Sequence, residues 1–248
     1  ITTGDTDGIG WEVTAKALHA IGPKAGFQFF FYRHVKTADL APKISKKFKH
    51  QAVSSLAQAA TVPFDPKVLV EIRTAKPPAV WVEEAAVACR DRRFDAMVTA
   101  PLSKTSIIAS GLKDIGHTEI LARVCGIRDL FMGFVGEKFS VVLMTGHEPL
   151  ANAASSFSAT KLTKALRASR SLRAILTPKK SKLPLAVVGL NPHAGESGLL
   201  GREEGWMSAL ISSLKAEYGE IAGPLVPDAA FLPQNWNIYS VYLCPYHD

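Results

Sequence analysis

The chain has 248 residues, of which 47% are hydrophobic, so it can bury a large core and is not a disordered protein. Its formal net charge of +7 favours anionic partners such as phosphorylated metabolites, dinucleotides or nucleic acid. Because the basic residues are not interleaved with exposed aromatic residues, we do not expect nucleic-acid binding.

The cysteines and the hydrophobic runs indicate the compartment. Cys89, Cys125 and Cys244 are far apart and show no C-x-x-C spacing, which argues against a disulfide framework and a cysteine zinc site. No apolar run approaches the roughly 20 residues that span a bilayer, and no leader peptide opens the chain. We therefore expect a cytoplasmic protein without a membrane partner. The chain begins at Ile1 without a methionine and stops just after an apolar run, which suggests trimmed ends.

The first half of the sequence alternates strand and helix patterns. A strand is expected to end in a tight turn that contains Gly4, Gly8 and Gly10. This turn matches neither the G-x-G-x-x-G nor the Walker A pattern, and a strand-to-helix turn without a ligand is the alternative. The predicted elements that follow are a helix at about 11–21, a strand at 26–32, a helix at 80–92 and a strand at 94–101.

The second half continues this alternation. Helices are predicted to end near Gly111 and to begin near Thr118, and longer helices at 158–176 and 203–218. Strands are predicted at 139–145, 185–189 and 238–244. The basic side chains of the helix at 158–176 are expected to face solvent; they are Lys164, Arg167, Arg170 and Arg173. The pattern as a whole predicts an α/β fold.

The three predicted strands of the second half each end in a histidine: His147, His193 and His247. Because parallel strands end at the same edge of a sheet, these imidazoles could converge on one ion. Three histidines with an open fourth position suit a catalytic divalent metal such as zinc. Each residue taken alone could equally be an ordinary loop histidine. Three carboxylates could orient the rings or join them as ligands: Glu148, Glu196 and Asp248.

Two further polar positions lie at expected helix starts. His117 precedes Thr118, where a positively polarised helix terminus can face an anion, although a simple capping loop is the alternative. Lys104 follows the predicted strand at 94–101 and is a candidate for proton transfer or anion binding, or else a surface lysine.

Six motifs in this sequence stand in the order found in one enzyme family and extend over the whole chain. They lie at residues 4–10, 98–104, 116–119, 145–150, 189–196 and 246–248. Together they resemble the 4-hydroxythreonine-4-phosphate dehydrogenase family of pyridoxal phosphate biosynthesis. The specific strings are Gly-His-Thr-Glu at 116–119 and Asn-Pro-His-Ala-Gly-Glu at 191–196.

The resemblance implies a fold and a set of site residues. It implies two α/β/α domains of the isocitrate/isopropylmalate dehydrogenase type, with a cleft between them and a homodimer interface nearby. We expect the first domain at residues 1–110, with its C-terminal return segment absent, and the second, carrying the metal ligands, at 111–248. The family's three metal ligands correspond to His147, His193 and His247, and its substrate contacts to His117 and Thr118.

The resemblance also implies the chemistry. The expected reaction is NAD-dependent oxidation of 4-phosphohydroxy-L-threonine, a phosphorylated small molecule, with decarboxylation to an amino-hydroxyacetone phosphate. NADP is the alternative to NAD. A divalent metal, zinc or else magnesium or cobalt, would lower the pKa of the substrate hydroxyl and stabilise the charge that develops during the reaction.

Several positions depart from the family pattern. Thr6 and Asp7 stand where family members usually carry Pro-Ala, Trp11 stands where they carry Pro, and Gly146 where they carry Thr. These differences leave open a related dehydrogenase acting on a sugar-acid phosphate or a dihydrodiol. A three-histidine metal hydrolase is a candidate from another class, and it would need a metal-bound water and no nicotinamide. A non-catalytic binding protein is the last alternative.

Overall fold

The structure, a computed structural model, describes residues 1–37 and 46–247. The chain forms two compact units, Ile1–Leu130 and Phe131–Asp248. The boundary expected between residues 110 and 111 falls within the first unit. The reason is that a helix at His117–Cys125 packs its buried side chains against a helix at Pro78–Arg90. Within the described residues, no helix is both long and apolar enough to cross a membrane.

The first unit alternates strands and helices, and three of its elements, between residues 49 and 74, were not predicted from the sequence. Its elements are α1 (Gly10–Ile21), β1 (Phe30–His34), β2 (Lys49–Val53), α2 (Leu56–Ala59), β3 (Val68–Thr74), α3 (Pro78–Arg90), α4 (Lys104–Ala109) and α5 (His117–Cys125). The helices predicted at 11–21 and 80–92 are confirmed as α1 and α3. The strand predicted from residue 26 begins only at Phe30, because Phe27 N donates to Lys24 O in a turn.

The sheet of the first unit has three parallel strands in the order β1-β3-β2. Thr2 forms isolated bridges to Tyr32 and Thr99. The strand predicted at 94–101 is therefore wrong as a full strand, since its described pairing is limited to this bridge. The physical reason is local: the chain that pairs with Thr99 turns away at Gly4, whose φ is 71°.

Both faces of this sheet are covered. Side chains alternate between the faces of a strand, so neighbouring residues of β1 and β3 enter different clusters. Phe31 packs with Leu18 of α1, whereas Tyr32 packs with Trp81 of α3. The rings of Tyr32 and Trp81 stack with centroids 5.9 Å apart. The first unit is thus a helix–sheet–helix sandwich.

The second unit carries the histidine-bearing strands. Its elements are β4 (Met132–Val135), β5 (Ser140–Leu143), α6 (Leu150–Ser156), α7 (Ala159–Ala174), β6 (Leu185–Val188), α8 (Glu203–Tyr218), β7 (Ile221–Leu225), α9 (Pro227–Ala230) and β8 (Val241–Cys244). The helix predicted at 203–218 is confirmed as α8. The last strand is shorter than the predicted 238–244, since Ile238 N donates to Asn235 O in a turn.

The sheet of the second unit has the order β4-β5-β8-β6-β7. β8 lies between β5 and β6 and is parallel to both, while β4 is antiparallel to β5. The parallel arrangement expected for the three histidine strands is therefore confirmed. Their carboxyl ends lie at one edge of the sheet, with the strand that leads to His247 in the middle.

Helices α7 and α8 cover one face of this sheet. Leu162 and Leu166 of α7 and Met207 and Ile211 of α8 are buried against it. The expectation of a solvent-facing basic side on α7 is wrong for Arg173, which is half-buried and donates through Nη2 to Tyr218 O at 2.7 Å. Burial, with Arg170 as a further cause, lowers the pKa of the Arg173 guanidinium.

Candidate functional site

His147 and His247 come together at the carboxyl edge of the second sheet. Pairing of β5 with β8 continues past the strands, because Met144 N donates to Cys244 O at 2.8 Å. The buried Thr145 hydroxyl then donates to Pro245 O at 3.1 Å. These bonds fix the segments that lead to the two histidines, whose ring centroids are 4.7 Å apart. Two imidazoles at this separation are close enough for a single ion to contact both rings.

His193 follows β6, the other neighbour of β8 in the sheet. Its side chain is exposed, and its backbone has a φ of 52°. Among residues 1–37 and 46–247, no group of three or more His, Cys, Asp or Glu side chains is arranged to hold a metal ion. The structure therefore brings together two of the three expected ligands, and His193 remains in an adjacent loop.

The loop after β6 has an uncommon backbone. Five successive residues, His193 to Ser197, have left-handed φ values between 42° and 74°, and only Gly195 among them is a glycine. For L-residues this conformation costs roughly 1–2 kcal/mol each. Contacts from the rest of the unit must offset that cost, and such strain is concentrated at functional sites in proteins generally.

The three carboxylates considered as partners of the histidines have different environments. Glu148 forms an ion pair with Lys161 at 3.4 Å, and both side chains are partly buried. Glu196 is exposed within the left-handed run, and Asp248 lies outside the described residues. The Glu148 carboxylate is therefore paired with Lys161, in the first turn of α7.

Glu204 is a functional candidate that the sequence reasoning missed. It lies in the first turn of α8 and is 7% exposed. Its Oε1 accepts hydrogen bonds from Leu190 N at 2.9 Å and Asn191 N at 2.7 Å, and its Oε2 accepts from Asn191 Nδ2 at 3.0 Å. The available signal was a pair of glutamates at a predicted helix start, directly after a loop with an expected ligand. Such glutamates are ordinarily explained by the helix dipole.

His117 begins α5, as expected from the sequence, and Gly116 is its N-cap residue. The His117 side chain is half-buried, and its Nε2 is enclosed without a hydrogen-bond partner among the described residues, whereas Thr118 is exposed. Burial lowers the pKa of His117, and the nearby Asp5 carboxylate partly opposes this. A neutral imidazole at a helix N-terminus can donate to or accept from a bound polar group.

The lowered pKa of His117 gives a stability prediction with a definite sign. In the unfolded chain the pKa of His117 has its ordinary value of 6.5, so as the pH falls His117 becomes protonated in the unfolded chain before it does in the folded chain. The difference in His117 pKa between the two states therefore contributes to the free energy of unfolding. The contribution is complete above pH 6.5 and is lost as the pH falls through the lower pKa that His117 has in the folded chain. We expect denaturant unfolding of the first unit to show this loss and His117→Gln to make the pH dependence shallower. Equal pH dependence in the two proteins would contradict the assignment.

The glycine turn of the first unit is tied to the start of α4. Gly4 is required because a Cβ there would lie 2.1 Å from Pro101 O, at a φ of 71°. Asp5 Oδ2 accepts from Ser103 N at 2.8 Å, and the Ser103 hydroxyl caps α4. Lys104 is the first residue of that helix and is exposed.

Trp11, one of the departures from the family pattern, packs into the first unit. Its ring stacks on Phe31 with centroids 5.2 Å apart, and the Arg33 guanidinium lies 4.4 Å from the Trp11 ring centroid. Thr6 and Asp7, the other departures in this turn, are exposed. Trp11 also lines a cavity together with Asp5 and Trp81.

The chain matches a known protein family over most of its length. The family described as "Pyridoxal phosphate biosynthetic protein PdxA" matches residues 25–248. A 4-hydroxythreonine-4-phosphate dehydrogenase from Sulfurihydrogenibium sp. (strain YO3AOP1) is 30% identical over 260 residues, which cover 100% of this chain and 79% of the relative.

Solved structures show the same fold. The crystal structure of 4-hydroxythreonine-4-phosphate dehydrogenase from Klebsiella pneumoniae has a TM-score of 0.78 and 24% identity, covering 99% of this chain and 78% of that one. A terephthalate 1,2-cis-dihydrodioldehydrogenase from Burkholderia xenovorans LB400 has a TM-score of 0.66 and 25% identity, with the same coverage of 99% and 78%. The α/β fold of the isocitrate dehydrogenase type that the sequence predicted is confirmed.

Proposed function

Because the chain belongs to the PdxA family of pyridoxal phosphate biosynthetic proteins, we propose that it oxidises 4-phosphohydroxy-L-threonine with NAD, followed by decarboxylation to an amino-hydroxyacetone phosphate. The observation that carries this proposal is the family match over residues 25–248, together with a dehydrogenase relative that aligns with the whole chain. The basic charge of the chain is favourable for a phosphorylated substrate and a dinucleotide.

The residues of the second unit fit a divalent metal in donor chemistry. His147 and His247 would supply two imidazoles from neighbouring strand ends, and His193 would supply the third from the loop after β6. Zinc is the metal most suited to three imidazoles, with cobalt or magnesium as alternatives. When bound, the metal supplies Lewis-acid stabilisation of negative charge on the substrate oxygen, and NAD or NADP supplies the hydride acceptor.

The chain's own residues then have separate tasks. The Thr145 hydroxyl holds the end of β5 against the segment after β8, which keeps His147 beside His247. His117 and Thr118 would bind the substrate, because neutral His117 can exchange hydrogen bonds with it and the N-terminus of α5 favours an anionic group. We retain Lys104 as a candidate anion contact. A cytoplasmic homodimer is part of the same proposal.

Formation of NADH from 4-phosphohydroxy-L-threonine by the full-length protein tests this function directly. We expect turnover with NAD that is abolished by a chelator and restored by added zinc or cobalt. Release of carbon dioxide in step with NADH would identify the decarboxylation. Absence of NADH formation at every metal tested would contradict the proposal.

A related dehydrogenase with a different diol substrate is the second candidate. The likeness to a dihydrodiol dehydrogenase supports it, as do the departures from the family pattern at Thr6, Asp7 and Trp11. Turnover of a cis-dihydrodiol, without turnover of the phosphorylated amino acid, would favour this candidate. Hydrolysis of a phosphate or ester without NAD would instead indicate a three-histidine metal hydrolase.

A further inference from the structure

A buried carboxylate lies under the loop that carries His193. Glu204 is 7% exposed and faces the entry of this loop. Three of the loop's N–H groups donate to it, two from the backbone of Leu190 and Asn191 and one from the Asn191 side chain. Hydrogen bonds to an ionised acceptor are roughly twice as strong as neutral ones. The carboxylate therefore fixes the direction in which the chain leaves β6.

The Glu204 carboxylate also contacts the loop after His193, at Gly195. A Cβ added to Gly195 would lie 2.6 Å from Glu204 Oε2, so this glycine packs directly on the carboxylate. Ala194 N donates to Asn191 O at 3.1 Å, which closes the turn between these contacts. Residues that contact Glu204 therefore lie on both sides of His193 in the sequence: Leu190 and Asn191 before it and Gly195 after it.

The contacts with Glu204 stabilise the left-handed backbone of the loop. His193 and Ala194 have φ values of 52° and 51°, which L-residues adopt only when neighbouring contacts hold them. Glu204 provides such contacts on both sides of the two residues. Without them, the loop would relax towards ordinary backbone conformations, and His193 would move.

We propose that Glu204 is a positioning residue that holds the loop carrying His193 beside the sheet edge where His147 and His247 meet, the place from which His193 would bind the same metal. The inference rests on the proposed role of His193 as a metal ligand. Glu204 does not itself contact the metal in this account; it acts through the backbone of Leu190 and Asn191. Residues that orient metal ligands typically change metal affinity by about 10- to 100-fold when they are replaced.

The test compares four variants of the full-length protein: Glu204→Ala, Glu204→Gln, Glu203→Gln and His193→Ala. Zinc affinity is measured by competition with a chromophoric chelator, without substrate or NAD. We expect Glu204→Ala to weaken zinc binding by about 10- to 100-fold. Glu204→Gln should be intermediate, because its carbonyl oxygen can still accept from the two backbone amides.

Glu203→Gln is the matched control. It makes the same change of charge at the neighbouring position, but Glu203 accepts from the Asn191 side chain and from Arg202 N, whereas Glu204 accepts from the backbone amides of Leu190 and Asn191. Its zinc affinity should stay close to that of the unchanged protein. Amide hydrogen exchange is the second measurement, and faster exchange in Glu204→Ala should be confined to residues 189–201.

The outcomes separate this inference from the proposed function. If His193→Ala loses zinc while Glu204→Ala keeps it, the positioning role is wrong and the metal site stands. If His193→Ala binds zinc as tightly as the unchanged protein, the proposed ligand role fails, and the inference fails with it. Faster exchange throughout the second unit of Glu204→Ala would also overturn the inference, because Glu204 would then be a general stabilising residue.

Discussion

Replacing His147 by Ala is expected to lower kcat/KM for NADH formation by more than about 100-fold, beyond the range typical of residues that only support a metal ligand. The reason is the pair that His147 forms with His247, whose ring centroids are 4.7 Å apart. Removal of one imidazole leaves a site with two nitrogen donors, which holds zinc more weakly than three. Steady-state kinetics and metal analysis of the purified variant measure the two effects together.

His50→Ala is the control for this substitution. His50 is exposed on β2 of the first unit, so its loss removes an imidazole without affecting the edge of the second sheet. We expect the control to keep its activity and its metal. Full activity of His147→Ala, at the metal content of the unchanged protein, would contradict the assignment of His147.

Replacing Leu166 by Ala is expected to lower the free energy of unfolding of the second unit by about 2–5 kcal/mol. Leu166 is 0% exposed and belongs to the cluster between α7, α8 and the sheet. The substitution removes buried apolar surface and leaves a cavity that the surrounding residues fill only in part. Urea unfolding followed by circular dichroism measures the change.

Ile175→Ala is the matched control, since Ile175 follows α7 and is 78% exposed. Surface substitutions of this kind usually change stability by less than about 0.5 kcal/mol. Equal losses in the two variants would show that α7 does not bury Leu166 as described. Side chains of β5, β6 and β8 pack in the same cluster. The Leu166 variant should therefore also bind zinc more weakly at urea concentrations where the second unit begins to unfold.

The sheet edge with its histidines could be predicted from the sequence because each strand has a plain signature. The apolar runs before Thr145, Gly189 and Pro245 are typical of buried parallel strands, and such strands end at a common edge. The order of the strands could not be predicted. The strand before His247 lies in the middle, and this depends on packing across the whole sheet.

The conformation of the loop after β6 was beyond prediction. The sequence does not signal a left-handed run through His193 and Ala194, because positive φ is uncommon for any non-glycine residue, even for histidine, which is enriched there. The run depends on contacts with Glu204, which is distant enough in sequence to look like an ordinary helix-start glutamate. The failed strand at 94–101 has a similar origin, since its short pairing depends on the turn at Gly4.

X-ray absorption spectroscopy at the zinc edge tests the three-histidine metal site most directly. With one equivalent of zinc bound to the full-length protein, we expect three imidazole nitrogens at about 2.0–2.1 Å from the metal, with the fourth position filled by water or substrate. His193→Ala should leave two. A spectrum with fewer than three imidazoles in the unchanged protein, or one that is the same in His193→Ala, would contradict the assignment of His147, His193 and His247 as the ligands.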